Sequence, residues 1–230
     1  MLHNHFALLE DAEEAPEEPN EMKQTSKRDK NDKKKKKIKS PLVWIDLEMT
    51  GLDLEKDVIL QIAVLITDGD LESVIEGPEL VIHQSEEVLQ NMNDWCIEHH
   101  GKSGLTEAVR QSKLTMRDAE NQVLHFVQQH VKPKEGIVAG NSVHVDVSFL
   151  KKDMKELCDY FHYRILDVST VKELAKRWYP SSFSKAPKKM LAHTAMSDIR
   201  ESLAELRYWR QAIFREKSGP QAAKHLTVSS

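Results

Sequence analysis

Hydrophobic positions along the chain follow two spacings. The run LVWIDLEMTG, beginning at Leu42 and closed by Gly51, reads as a buried strand. VILQIAVLITDGD, from Val58, is rich in Val and Ile and reads as a second strand ending in an Asp-Gly turn; ELVIHQ, from Glu79, reads as a third. The Asp-Gly punctuation predicts antiparallel hairpins among these. Beyond Glu86 the period lengthens to that of helices. One helical stretch runs to the break at Gly101 and Gly104. Thr115 with Asp118 marks the start of another, whose apolar face is Val123, Leu124, Phe126 and Val127. GIVAGN, from Gly136, is a short buried strand, and VDVSFLKKDMKELCDYF, from Val145, a single amphipathic helix. YRILDV is a strand, STVKELAKRWY a helix, and MSDIRESLAELRYWRQAIF, from Met196, a long amphipathic helix. Hairpins followed by alternating helix and strand predict an α/β domain with a mixed central sheet flanked by helices. There is no internal repeat.

Charge changes the picture at the N-terminus. Residues 1–39 carry 10 Lys+Arg against 9 Asp+Glu, first an acidic block and then a basic one; the remainder carries 23 against 28. Such blocks, with few apolar residues, do not bury enough surface to offset ordering entropy. Residues 1–40 are therefore expected to be a disordered charged tail, residues 41–216 the folded domain, and residues 217–230 a flexible C-terminal tail. The tail lacks the long apolar core of a secretory signal and is too acidic for an organelle transit peptide. Its lysine run fits a nuclear signal, a nucleic-acid-binding arm or a simple solvated segment. Two cysteines, Cys96 and Cys158, exclude a disulfide scaffold and suit a reducing compartment. No apolar run reaches the roughly 18 residues of a membrane span, so no membrane is expected as a partner.

Candidate chemistry begins with Asp46 and Glu48. They lie two apart in an apolar strand and so share a face. Two like charges side by side in a buried strand raise each other's cost of ionising, and a divalent cation is the natural compensation. The alternative is an edge strand with a solvated face, which the flanking Val43, Trp44, Ile45 and Leu47 disfavour. Asp146 follows the strand GIVAGN at a helix start, and Asp198 opens the last helix; α/β folds gather chemistry at such positions. His193 lies five residues before Asp198. On one continuous helix the two would diverge by about 140°, so a shared site needs His193 in the preceding loop. An ordinary surface histidine is the alternative.

The segments IDLEMTGLD, GNSVHVDVSFL, YRILDVSTVKELAKRWYP and HTAMSDIRESLAEL, in that order, resemble oligoribonuclease, a member of the DEDDh exonucleases with a ribonuclease-H-like fold. The resemblance covers about Pro41 to Phe214. It implies a metal-dependent 3′-to-5′ exoribonuclease that degrades short single-stranded RNA, dinucleotides especially, to 5′-mononucleotides. It further implies that Asp46, Glu48, Asp146 and Asp198 bind two Mg²⁺ or Mn²⁺ ions and that His193 is the general base, suited by a reference pKa near 6.5. Leu52 and Trp95 would stack on or wedge against the bases. Tyr163 would add a stacking surface from the partner subunit of a homodimer. His100, Ser142, Arg164, Ser169 and Thr170 would hold the substrate's 5′-phosphate. The plainer readings are core aromatics for Trp95 and Tyr163 and helix caps for Ser169 and Thr170. An intracellular setting is implied, cytoplasmic in the first place, with mitochondrion and nucleus as alternatives.

Some positions depart from the family pattern. Gln61 stands where Glu is usual, Ser197 where a further acid precedes Asp198, and Val145 and Val147 flank Asp146 where polar residues are common. The loop from Ser181 to Met190 is basic, which suits either a backbone contact or a solvated surface. Two rival functions share these residues: a general single-strand DNA or RNA exonuclease, and a non-catalytic RNA-binding scaffold.

Overall fold

A computed structural model describes residues 38–187 and 194–214. Five strands form one sheet in the order β3-β2-β1-β4-β5, with β1 (Leu42–Met49) at its centre. β2 (Ile59–Thr67) and β3 (Val74–Val81) join β1 as antiparallel neighbours. β4 (Ile137–Gly140) and β5 (Ile165–Asp167) extend it in parallel on the other side. The mixed sheet matches the expectation, and the central place of β1 removes the edge-strand reading of Asp46 and Glu48.

Alternation along β1 feeds two separate cores. Val43, Ile45 and Leu47 join Ile62 and Val64 against α4 (Met116–Gln128), α5 (His144–Asp153) and α6 (Lys155–Tyr160). Leu42 and Trp44 face α7 (Val168–Trp178) and α9 (Ala195–Ala212). There Trp44 is fully buried and its indole N–H donates to Thr67 Oγ1 at 3.0 Å, which satisfies the one polar atom such a burial strands. A third cluster holds α2 (Asp94–Ser103) and α3 (Leu105–Gln111) through Leu60, Cys96, Leu105 and Val109, beside the short α1 (Glu86–Gln90).

Two β-bulges shape the sheet. The pairing Glu48↔Gln61 is followed by Met49↔Ile59, so Leu60 is skipped, and its buried side chain belongs to the cluster under α2. In β3 the second bulge falls at Gly77 and Pro78. A Cβ on Gly77 would come within 2.4 Å of the Phe126 ring and 2.8 Å of the Val64 carbonyl, and proline is tolerated on this edge strand.

Four element expectations change. The stretch from Glu86 is two helices, α1 and α2, and Gly101 lies inside α2, with only Gly104 ending it. The segment from Val145 is two helices, because Met154 leaves helical geometry (φ −134°, ψ 61°) while its buried side chain packs into the core. The β2–β3 loop is longer than a two-residue turn, and its left-handed residue is Leu71 (φ 62°), not Gly69. Asp68 holds that loop by accepting from Glu72 N and Ser73 N. The third strand is Val74–Val81, earlier than ELVIHQ. By contrast, the Thr115–Asp118 helix start is as read: Thr115 Oγ1 accepts from Asp118 N at 3.1 Å and donates to the Asp118 carboxylate at 2.6 Å. A short α8 (Pro180–Phe183) follows α7. None of the described helices is long and apolar enough to cross a membrane.

Candidate active site

Asp46 and Glu48 leave β1 on the α9 side, beyond Trp44, where the apolar packing stops. Asp198, in the first turn of α9, meets them. One carboxylate oxygen from each of Asp46, Glu48 and Asp198 lies within 4.8 Å of the other two. Three hard oxygen donors this close are a donor set for a hard divalent cation. Asp146, in the first turn of α5, is 7% exposed and stands outside this trio; its Oδ1 accepts from Leu47 N at 3.0 Å. It remains near enough to act on Glu48. Burial, and then the neighbouring charges of Asp198 and Asp146, push the Glu48 carboxyl up to about 7. Burial likewise raises Asp146 to about 7, against the lowering effect of the Leu47 N–H. For both carboxyls burial outweighs whatever neighbouring groups favour the charged form.

Glu48 also lines a cavity of about 430 Å³ with Gly51, Leu52, Asn93, Trp95, Cys96 and His100. Leu52 is 73% and Trp95 57% exposed, so Trp95 is no core aromatic; its ring stacks on His99 at 3.9 Å. His100 is 4% exposed, its Nε2 donates to the Met49 carbonyl at 2.9 Å, and its Nδ1 is 4.0 Å from Glu48. Burial lowers its pKa. The structure thus places His100 with Leu52 and Trp95, not with Ser142 and Ser169. The turn presenting Leu52 is pinned by Asp57, which accepts from Thr50 Oγ1 at 3.0 Å and Asp53 N at 2.8 Å. Gly51 permits this: a Cβ there would stand 2.3 Å from the Asp57 carboxylate.

Ser142 and Ser169 meet elsewhere, with hydroxyls 3.3 Å apart. Ser142 takes a left-handed conformation (φ 52°) and its N–H donates to Asp167 Oδ1 and Ser169 Oγ. Asp167, not Ser169, caps α7 by accepting from Ser169 N. Thr170 is exposed one residue further on. Tyr163 and Arg164 stand apart from the Glu48 cavity. Tyr163 is 79% exposed, stacks on His162, and carries the Arg164 guanidinium 5.1 Å above its ring; it lines a separate groove with Lys134, Lys151 and Cys158. His193 lies outside the described residues.

Three carboxylates went unsingled in the sequence. Asp57 has no motif to mark it. Asp167 sits where Asp-x-Ser reads as a helix cap, a signal hidden by assigning it to a strand. Glu79 accepts from Gln61 Nε2 at 3.0 Å and from Met196 N at 3.4 Å, so the Gln61 amide, opposite Glu48, links to the start of α9. Val145 and Val147 pack against the core, which accounts for their apolar character.

A family model described as an exonuclease (RNase T) matches residues 43–206. The mitochondrial oligoribonuclease of Mus musculus is 53% identical over 183 residues, covering 80% of this chain and 77% of the relative. This chain belongs to the oligoribonuclease family of exonucleases. The probable oligoribonuclease of Dictyostelium discoideum is 55% identical over 174 residues, covering 76% of this chain and 90% of the relative. Oligoribonuclease of Acinetobacter baylyi is 53% identical over 173 residues, covering 75% and 94%. Among solved structures, exonuclease I of Methylocaldum szegediense superposes with TM-score 0.56 at 20% identity, over 74% of this chain and 40% of the longer one. The E. coli enzyme bound to a dA16 oligonucleotide gives TM-score 0.58 at 14% identity, over 76% and 42%. At such identities the likeness establishes the shared exonuclease fold, and the chain spans about 40% of those proteins.

Proposed function

We propose that this protein is a metal-dependent 3′-to-5′ exoribonuclease that degrades short oligoribonucleotides, dinucleotides above all, to 5′-mononucleotides. The observation that carries the reading is the trio Asp46, Glu48 and Asp198, drawn together within 4.8 Å from two distant stretches of chain. Glu48 also borders a cavity walled by Leu52 and Trp95. Asp46, Glu48 and Asp198, with Asp146 beside them, would hold Mg²⁺ or Mn²⁺, two ions in all. When bound, such ions supply positive charge for the scissile phosphate and lower the pKa of coordinated water.

The remaining work falls to side chains. Leu52 and Trp95 grip bases without reading them, because every base offers a stacking face. His100 packs behind Glu48, its ring fixed by the bond to the Met49 carbonyl. Ser142 and Ser169 receive the 5′-phosphate through hydroxyls. His193 takes the proton of the attacking water. The exposure of Tyr163 and Arg164, away from the Glu48 cavity, supports a homodimer in which they serve the partner's site, with Arg164 adding a planar fork to the phosphate. The apolar stripe of the last helix, Ile199, Leu203, Leu206 and Trp209, is taken up by the chain's own core. We place the enzyme inside the cell; the name of the mouse relative favours mitochondria.

The test compares turnover of a 5′-phosphorylated dinucleotide with that of a twenty-nucleotide RNA, with and without EDTA. Rapid, EDTA-sensitive hydrolysis of the dinucleotide and slow attack on the long strand are expected. Equal rates favour a general exonuclease, and RNA binding with no hydrolysis favours a scaffold.

A further inference from the structure

Glu205, on α9, is a buried acid with no part in the chemistry above; it is 4% exposed. Its Oε1 lies 3.4 Å from Lys172 Nζ and accepts from Trp209 Nε1 at 3.2 Å, and its Oε2 accepts from Asn141 Nδ2 at 3.1 Å. A carboxylate taken out of water needs such partners. Glu205 also interrupts the apolar stripe of α9, where a hydrophobic residue would pack at no electrostatic cost. The partners come from three places: Lys172 from α7, Asn141 from the turn after β4, and Trp209 from α9 itself.

Their sequence neighbours give the arrangement meaning. Asn141 directly precedes Ser142. Lys172 lies three residues beyond Ser169, on the same side of α7. Glu205 lies seven residues beyond Asp198, two turns along the same side of α9. One buried carboxylate therefore ties the turn bearing Ser142 and the helix bearing Ser169 to the helix bearing Asp198. Asn141 Oδ1 is buried and has no hydrogen-bond partner among the described residues. The side chain's one bond is the donation to Glu205, and the flipped amide would set oxygen against carboxylate.

We infer that Glu205, Asn141 and Lys172 form a positioning assembly that fixes the distance between the Ser142–Ser169 pocket and the carboxylate cluster, and so sets the preference for 5′-phosphorylated dinucleotides. The inference rests on reading that pocket as the 5′-phosphate site. Substrate held at both ends must match a fixed span, and a shift of about 1 Å costs it up to about 100-fold. Substrate held at one end is indifferent to the span.

The experiment measures kcat/KM for wild type, Asn141→Ala, Lys172→Met and Lys172→Arg on one dinucleotide bearing a 5′-phosphate or a 5′-hydroxyl. The ratio of the two, taken on one preparation, is independent of the fraction folded. Wild type is expected to prefer the phosphorylated form by at least about tenfold. Asn141→Ala and Lys172→Met should lose most of that preference, chiefly through KM, while activity on the hydroxyl form stays within about threefold; Lys172→Arg should restore it. A preserved preference in both variants, or equal losses on both substrates, overturns the inference and leaves the pocket reading standing. A wild type that ignores the 5′-phosphate overturns the pocket reading itself, and the inference with it.

Discussion

Val43, Ile45 and Leu47 point to one side of the central strand, and Trp44, Asp46 and Glu48 to the other. The first side is apolar along its whole length, packed by Val123, Val127, Phe149 and Leu150, all fully buried. The second begins in the same way, with Trp44 against Leu65 and Trp209, and then gives way to carboxylates where α9 crosses. The two sides share one backbone and one set of ladder hydrogen bonds. Stability is concentrated on the first, and on the second it is given up locally for a cluster of acids that repel one another. Substitutions on the two sides should therefore separate activity from folding.

The largest effect is expected at Asp46→Ala. Loss of a metal-holding carboxylate removes several kcal/mol of transition-state stabilisation, about 1,000-fold or more in turnover. Thermal unfolding of the metal-free variant should stay within roughly a few degrees of wild type, because the apolar core is untouched. Near-normal hydrolysis would break the contrast between the two sides. Ile45→Ala is the mirror experiment. It leaves a cavity in the apolar core and should cost about 2–5 kcal/mol in urea unfolding, with kcat per folded molecule retained at low temperature.

A pH series sharpens the comparison without mutation. The Glu48 and Asp146 carboxyls sit near 7 in the folded protein, above their unfolded values near 4. The folded state thus keeps protons that the unfolded chain releases, and stability falls as pH rises from about 4 to about 7. The metal-free protein should melt roughly 5 °C or more lower at pH 8 than at pH 5.5. Saturating Mn²⁺ should raise the melting temperature more at pH 8, since binding requires ionised carboxylates. A flat profile would mean that the acids are not confined together. Trp95→Ala should give the smallest effect. With the ring 57% exposed, stability should hardly change, while KM rises by the equivalent of about 1–3 kcal/mol of stacking.

Much of this was legible beforehand because its causes are local. Two acids at i and i+2 in an apolar run place themselves on one face, and the hairpin-then-crossover order yields the sheet. What stayed hidden depends on contacts distant in sequence. The skipped Leu60 aims a side chain under α2 and so helps place Trp95 and His100, and nothing in VILQIAV marks it. Asp146 turns one oxygen to the Leu47 N–H, a choice that its motif does not reveal. The break at Met154 escapes a periodicity reading because Met154 stays in the apolar register. Glu205 was readable in principle, as an acid on an apolar stripe, but its partners on α7 and beside Ser142 appear only in three dimensions.

The most direct test is calorimetric titration of Mn²⁺, with a 5′-mononucleotide present, into metal-free wild type, Asp46→Asn and Asp198→Asn. Two bound ions per chain are predicted for wild type, and the loss of at least one in each variant. Unchanged stoichiometry and affinity in both variants would contradict the assignment of these carboxylates.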